Sequence, residues 1–162
     1  MRSLRQYIDE GKYIMNGTTQ IQGVVKEKLF RGIIGGLVGT IVFTLMGQYM
    51  APKVLGQPMD VAALMAPMLG GSHTLGVIVH FIMGTFLFPI AYLVVGIQNL
   101  KGPASIRGAI FLTVIYLGAM TVMMPILGQG LFFNSLPKAM VALVAHIVFG
   151  LLMGAIIGKP NK

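Results

Sequence analysis

The chain has no cysteine and no tryptophan, and only four of its 162 residues are acidic. The lack of cysteine excludes disulfides, iron–sulfur clusters, thiolate metal sites and covalently attached c-type haem. The shortage of acids leaves no carboxylate pair, no Ser–His–Asp set and no metal-hydrolase cluster, since three of the four precede the first apolar stretch and Asp60 stands alone. We therefore expect a chain that is not an enzyme by itself.

Charge is also scarce along most of the chain. Charged residues make up 10% and hydrophobic residues 56%, and the mean hydropathy is +0.83, whereas a soluble domain carries about 25% charged residues. Four apolar stretches each reach the roughly 18–20 residues that cross about 30 Å of hydrocarbon as a helix. They lack the alternation of β-strands, and lipid does not tolerate unpaired backbone groups. The predicted fold is all-α, a four-helix transmembrane bundle with spans at about 32–50, 74–97, 108–127 and 139–158.

Basic residues are distributed unevenly between the two sides of the predicted bundle. Ten of the twelve lysines and arginines fall before the first span, between the second and third, or after the last; only Lys53 and Lys138 fall on the opposite side. This bias follows the positive-inside rule, so we predict an integral membrane protein with both termini in the cytoplasm. The net charge of +8 then reflects topology and attraction to lipid headgroups, and we expect no nucleic-acid partner.

The residues outside the spans divide the chain into three parts. Residues 1–28 mix apolar and charged positions, which predicts an amphipathic cytoplasmic arm that lies on the membrane surface as a helix or docks on a partner. Residues 29–158 form the predicted membrane domain, and residues 159–162 form a short cytoplasmic tail. Pro52 and Pro125 are predicted to end the first and third helices, because proline cannot continue the helical hydrogen-bond ladder.

Several landmarks recur in the same order in the two halves of the chain. Because each half holds two helices, the halves share one membrane orientation and would be related by an axis along the membrane normal. We predict a parallel internal repeat of two helical hairpins. The paired landmarks are Arg31-Gly32 with Arg107-Gly108, Pro52 with Pro125, and His80-x-x-x-Gly84 with His146-x-x-x-Gly150.

Small residues recur at helical spacing in three of the four spans. In membranes such faces let helix backbones approach closely, and van der Waals contact replaces the missing hydrophobic driving force. We expect them to pack helices of this chain and of partner subunits, and we also expect bound lipid. The residues concerned are Gly32, Gly35, Gly36, Gly39, Gly76, Ala142, Gly154 and Gly158.

Two histidines, His80 and His146, fall inside spans and are each followed by a glycine four residues later, Gly84 and Gly150. Both lie about 10 Å below one boundary by helical rise, so the rings are expected to face each other across the bundle. Such a pair suits a haem b with the glycines making room for the porphyrin, or each ring suits its own chlorophyll. The alternatives are a structural hydrogen bond between helices, or metal or proton handling.

Thirteen methionines are a large number for this length. Thioether and imidazole ligands suit Cu(I), but methionine is also a flexible filler of apolar interfaces and no compact methionine motif occurs. Packing is therefore the interpretation that we favour. The methionines expected near the outer face, together with His73, are Met46, Met50, Met59, Met65, Met68, Met123, Met124 and Met140.

These landmarks, with Ala51-Pro52 and Pro125-x-x-Gly128 added, resemble a functionally uncharacterised family of small prokaryotic four-helix membrane proteins. The resemblance covers roughly residues 30–158. It implies the fold and the size of the protein and a location in a prokaryotic inner (cytoplasmic) membrane, but no activity.

The functional hypothesis is a non-catalytic accessory subunit of a multisubunit membrane complex, respiratory or otherwise energy-converting. Its partners would be other integral membrane subunits and membrane lipids. The first alternative is a subunit that binds haem b or chlorophyll through His80 and His146. The second is a small passive channel or carrier, for which the polar residues available to line a pore are Thr40, Thr44, Thr113 and Thr121.

Overall fold

The computed structural model describes the backbone of residues 4–159 and the side chains of residue 20 and residues 22–159. Every regular element in this part of the chain is helical. Four of the helices are long and apolar enough to cross a membrane, which confirms the predicted all-α fold. The membrane-length segments are Gln22–Leu55, His73–Asn99, Ala104–Ile126 and Leu136–Ile157.

Five helices are labelled in chain order. They are α1 (Leu4–Leu45, continued by Met46–Met50 and Ala51–Leu55), α2 (Val61–Met65, continued by the 3₁₀ turn Ala66–Leu69), α3 (His73–Asn99), α4 (Ala104–Ile126) and α5 (Leu136–Ile157). Residues 56–72 and 127–135 connect helices at one end of the bundle, which we call the long-loop end. The opposite end, with residues 97–107 and 158–159, is called the Arg107 end.

The backbone of α1 continues as a helix through residue 28, where the sequence predicted the boundary of the arm. The side chains of residues 1–19 and residues 160–162 of the tail lie outside the described part. The amphipathic face predicted for the arm, and the tail, therefore stay predictions.

The prediction that Pro52 ends the first helix is wrong, since α1 continues past it to Leu55. The prediction for Pro125 agrees with the structure, because α4 ends at Ile126, one residue further on. Each proline stands two residues after a π-helical turn, whose wider winding makes room for the proline ring and its missing N–H. Pro89 of α3 follows the turn Met83–Leu87 in the same way.

The π turn of α1 has a specific partner in the loop that follows. The carbonyl of Gly47 accepts a hydrogen bond of 2.9 Å from the N–H of Met59. A loop residue thus pairs a helix carbonyl near Pro52, and residues 56–60 are held against the end of α1. A backbone carbonyl buried in a membrane-length helix needs such a partner.

The expected repeat stays a prediction. Pro52 and Pro125 hold the same position relative to their π turns, which agrees with a duplication. Pro89 also follows such a turn, but the interior of α5 contains no proline, so the second helices of the two halves differ.

Glycines of α1 pack against α3 and α5. A Cβ added at Gly35 would lie 3.2 Å from the backbone of Met153, and one at Gly39 would overlap the ring of Phe149. On the other side, a Cβ at Gly36 would lie 2.5 Å from the carbonyl oxygen of Gly84. Gly32 approaches Leu93 and Pro89 in the same way, at 3.3 and 3.4 Å. α1 therefore lies between α3 and α5.

Backbone contact is closest between α4 and α5. A Cβ at Gly150 would lie 2.7 Å from Cα of Ala109, and one at Gly154 would lie 3.0 Å from Cα of Gly108. Ala142, further along the same helix, is 2% exposed. Helices of the same chain therefore fill the faces of these small residues.

Of the two remaining glycines that the sequence analysis assigned to helix packing, Gly76 contacts another helix and Gly158 does not. A Cβ at Gly76 would overlap the carbonyl oxygen of Ala62, so α2 packs directly on α3. Gly158 ends α5 with φ of +79°, and only the tips of the Arg31 and Lys28 side chains lie within 4 Å of an added Cβ. Its role is to end a helix, not to receive another one.

Candidate functional site

The structure brings together the two histidines that the sequence singled out. Phe43 lies on α1, His80 on α3 and His146 on α5. The ring centroid of Phe43 is 5.7 Å from that of His80 and 4.9 Å from that of His146. Both imidazoles therefore point into the bundle and contact one buried aromatic ring.

His146 is fixed by its own helix. Its Nδ1 lies 2.7 Å from the carbonyl oxygen of Ala142, four residues earlier. A carbonyl only accepts, so Nδ1 carries the hydrogen, and Nε2 of the neutral ring keeps a free lone pair. The Tyr116 ring packs edge-on at 5.4 Å and its hydroxyl donates to the carbonyl of Ala139. This orientation leaves Nε2 as an acceptor or a metal ligand.

His80 is hydrogen-bonded across the bundle. Its Nε2 lies 3.2 Å from Oγ1 of Thr44 on α1. The Thr44 hydroxyl donates to the carbonyl of Thr40 at 2.9 Å, so it accepts from Nε2–H of His80. The histidine then keeps its Nδ1 lone pair. This contact is the structural hydrogen bond between helices that the sequence analysis left as one alternative.

The four threonines proposed as pore-lining residues share one arrangement. Each hydroxyl donates to the carbonyl four residues earlier on its own helix, at distances of 2.7 to 2.9 Å. Thr40 is fully buried, and its side chain fills the space above Gly84. Thr44 lines a cavity.

A largely apolar cavity of about 140 Å³ lies between the two histidines and the long-loop end. Phe43, His80 and His146 line it, together with six of the thirteen methionines. We call this cavity the methionine chamber. Its methionines are Met59, Met65, Met83, Met120, Met123 and Met124.

The methionine chamber gathers residues that the sequence did not place together. Met59 and Met65 come from the loop around α2, Met83 from α3, and the others from α4. Four were among the methionines expected near the outer face. Met83 and Met120 were not, because only the packing of α3 and α4 shows which helix faces meet.

A tetrapyrrole does not fit between these histidines. Sites for drug-sized or larger ligands occupy roughly 300–1,000 Å³, and the methionine chamber is about 140 Å³. Gly84 does not make room for a porphyrin, because Thr40 fills that space, and Gly150 packs against the backbone of Gly108. The expected haem b or chlorophyll role of these four residues is therefore corrected: the two glycines are helix contacts.

A second cavity, of about 220 Å³, adjoins the methionine chamber at the long-loop end. Phe43, Met59 and His80 line both cavities. The second one adds polar groups, namely those of Thr44, Gln48, Asp60 and His73. We call it the polar vestibule.

Asp60 and His73 are hydrogen-bonded at the polar vestibule, with Nε2 to Oδ2 at 2.8 Å. The other carboxylate oxygen accepts from the N–H groups of Ala62 and Ala63, so Asp60 caps the start of α2. Burial alone would raise the pKa of Asp60, but these hydrogen bonds outweigh burial and lower the pKa. The vestibule therefore carries a carboxylate at neutral pH.

The Arg107 end contains a buried cation that the sequence analysis counted as a cytoplasmic charge. Arg107 is 3% exposed; its Nη1 donates to the carbonyl of Ile97 at 3.0 Å and its Nη2 to that of Gly158 at 3.5 Å. Its Nε and the hydroxyl of Tyr92 are buried without a hydrogen-bond partner. The sequence does contain an indication that Arg107 is buried: it stands next to Gly108, and small residues such as Gly108 mark helix faces that pack against other helices.

Together these features define a class: a small helical bundle with four helices of membrane-spanning length and paired histidines beside a methionine-lined chamber. The chain belongs to the family of unknown function DUF6789, whose model matches residues 26–161. No curated protein and no solved structure matches the chain. The family match confirms that the chain belongs to an uncharacterised family.

Proposed function

We propose that the chain is an integral membrane protein that takes up a small cation from the outer side into the polar vestibule and the methionine chamber. The proposal places the long-loop end outside and both termini in the cytoplasm. Its support is the four apolar helices and the excess of lysine and arginine at the opposite end.

One observation carries the proposal: the two cavities are adjacent, with Phe43, Met59, Val61 and His80 lining both. Movement of these shared side chains would join the cavities into one route from the long-loop end to His146. The Asp60 carboxylate stands at the vestibule and attracts cations. Further in, the lining of the chamber offers neutral lone pairs, and an anion would find no cationic side chain among the described residues that line it.

The chamber is lined by two aromatic rings that do not line the vestibule, those of Phe88 and Phe149, with ring centroids 6.2 Å apart. This arrangement favours binding and occlusion of an ion over an open pore. Among the channel and carrier alternatives, the carrier or binding protein is the one that we propose.

Equilibrium dialysis of the purified protein in lipid nanodiscs against a panel of cations tests this function. The panel contains K⁺, ammonium, Zn²⁺ and Ag⁺. We expect saturable binding of one of them, weakened several-fold by Asp60→Asn. Glu27→Gln, which removes an acid at the other end of the bundle, is the matched control and should bind like the wild type. No saturable binding of any of these cations would sink the proposal.

The accessory-subunit hypothesis is retained as a second proposal, on a different observation. The glycine faces are filled by the chain's own helices and so do not remain for a partner. However, residues 22–27 of α1 are exposed all round, and Gly23 has no neighbour within 4 Å of an added Cβ. A helix that extends beyond its own bundle favours contact with another subunit.

Blue-native electrophoresis of the natural membrane tests the second proposal. We expect the full chain to migrate within a larger complex, and a variant without residues 2–21 to be lost from that complex. Migration of the full chain alone would contradict an accessory role in a respiratory or other energy-converting assembly.

A further inference from the structure

We infer that the methionine chamber is a Cu(I) site, in which Nε2 of His146 and methionine thioethers are the ligands. The inference rests on the proposed uptake of a small cation and names the chemical class of that cation.

The ligand chemistry of the chamber selects the ion. Six thioether sulfurs and two imidazoles line it, and none of the described lining residues is a lysine, arginine, aspartate or glutamate. Thioether and imidazole donors suit Cu(I), whereas Mg²⁺ and Ca²⁺ require oxygen ligands. Structural zinc sites use cysteine, histidine and carboxylates, and the described residues contain no group of three or more such side chains.

His146 is oriented as a metal-ligating histidine. Its Nδ1–H is held by the carbonyl of Ala142 at 2.7 Å, which fixes the ring and leaves Nε2 free. Metal-bound histidines almost always donate their other N–H to such an acceptor, because the contact fixes the tautomer and raises the basicity of the ligand nitrogen. No rearrangement of the hydrogen bond is needed for Nε2 to bind an ion.

The size and polarity of the chamber also fit a single soft ion. A volume of about 140 Å³ is ample for one ion and too small for a hydrated cluster or an organic cofactor. Burying a charge in an apolar site is costly unless it is coordinated. A monovalent ion held by polarisable sulfur keeps this cost low, and the nearby Asp60 carboxylate offsets part of the charge.

Binding would join segments that come from distant parts of the chain. Met59 belongs to the loop before α2, Met83 to α3, Met120 and Met124 to α4, and His146 to α5. A ligand that binds only the folded state stabilises that state in proportion to the logarithm of its concentration over its dissociation constant. We therefore expect Cu(I) to raise the thermal unfolding temperature.

The test is anaerobic titration of the purified protein in nanodiscs with Cu(I), kept reduced by ascorbate and in competition with a chromogenic Cu(I) chelator. We expect one ion per chain, and X-ray absorption should show sulfur together with nitrogen in the first coordination shell. The double variant Met120→Leu/Met124→Leu should weaken binding at least tenfold, because leucine keeps the volume and removes the ligand atoms.

The matched control is Met50→Leu/Met68→Leu, two exposed methionines outside the chamber. It should bind Cu(I) like the wild type. Equal thermal unfolding of all three metal-free proteins shows that the variants fold. Equal loss in both double variants, or a first shell without sulfur, would overturn the site.

The cation panel separates this inference from the proposed function. Saturable, Asp60-dependent binding of K⁺, ammonium or Zn²⁺ without binding of Ag⁺ or Cu(I) would keep the function and refute the copper site. Binding of Ag⁺ and Cu(I) that is lost in His146→Gln supports both.

Discussion

Single glycines in this protein have consequences that depend on what lies within a few ångströms of them. Gly150 and Gly118 are both helical, but Gly150 faces the backbone of α4 whereas Gly118 faces open space. The sequence showed the spacing of the small residues, and it predicted their packing role. It did not show which of them touch backbone and which face outward, because that depends on how the helices are rotated about their axes.

We predict that Gly150→Ala destabilises the bundle by about 1–3 kcal/mol, because the added methyl group would force apart the backbones at Ala109. Gly118→Ala is the control and should be neutral or stabilising by up to about 1 kcal/mol, as alanine is the better helix former. Thermal unfolding in detergent measures both. Equal unfolding temperatures for the two variants would contradict the described α4–α5 contact.

Asp60 should make stability depend on pH in the acid range. Its pKa is lowered in the folded protein, since hydrogen bonds from His73, Ala62 and Ala63 outweigh the opposite effect of burial. A carboxyl group with a lowered pKa stabilises the fold above its unfolded pKa of about 4, and this contribution is lost as the pH falls through the folded value.

We therefore expect the unfolding temperature to fall more steeply below about pH 5 in the wild type than in Asp60→Asn. Asparagine keeps an oxygen that caps α2, so the substitution removes the charge with little loss of the cap. The measurement is thermal unfolding at a series of pH values. Parallel curves for the two proteins would show that Asp60 does not carry this pH dependence.

At the scale of helices, composition and length were enough to predict four helices of membrane-spanning length, because long apolar stretches admit few other structures in lipid. The ends were predicted less well. Pro52 and Pro125 are tolerated inside α1 and α4 by π turns, and one of these turns is paired by a loop N–H from Met59. Met59 lies outside the stretch of sequence around Pro52 that local rules consider, so these rules place the end of α1 too early.

Arg107 joins the ends of two helices, since it donates to carbonyls at the end of α3 and just after α5. We predict that Arg107→Met destabilises the fold by about 1–3 kcal/mol for each carbonyl left without a partner. Lys101→Met, at an exposed position of the preceding loop, is the control and should change little. The free energy of unfolding in mixed micelles distinguishes the two; similar values would mean that the buried contacts of Arg107 add nothing.

At the scale of the whole molecule, the spacing of His80 and His146 predicted that the two rings face each other; in the structure each ring contacts Phe43. The gathering of six methionines was not predictable. Met59 and Met65 reach the chamber only because residues 56–72 fold back over the bundle, and Met83 and Met120 only because of the rotation of α3 and α4. These are tertiary properties with no local sequence signal.

The proposed orientation is testable because the chain has no cysteine of its own. We predict that Lys53→Cys, at the long-loop end, reacts with a membrane-impermeant maleimide added to intact cells. Lys101→Cys should react only after the cells are opened, since it lies at the opposite end. Both positions are exposed, so the reverse pattern would invert the topology.

The π turn of α4 also determines which residues reach the chamber. Met120 lies within the turn Ala119–Met123, and Met124 follows it; both line the chamber. Successive residues of an α-helix are rotated by about 100° around its axis. Tightening this turn to ordinary α-helical winding would carry Met124 to another face of α4 while leaving Met120 close to its place. The one extra residue in the π turn of α4 thus determines how many methionine sulfur atoms of this helix line the chamber and are available to an ion.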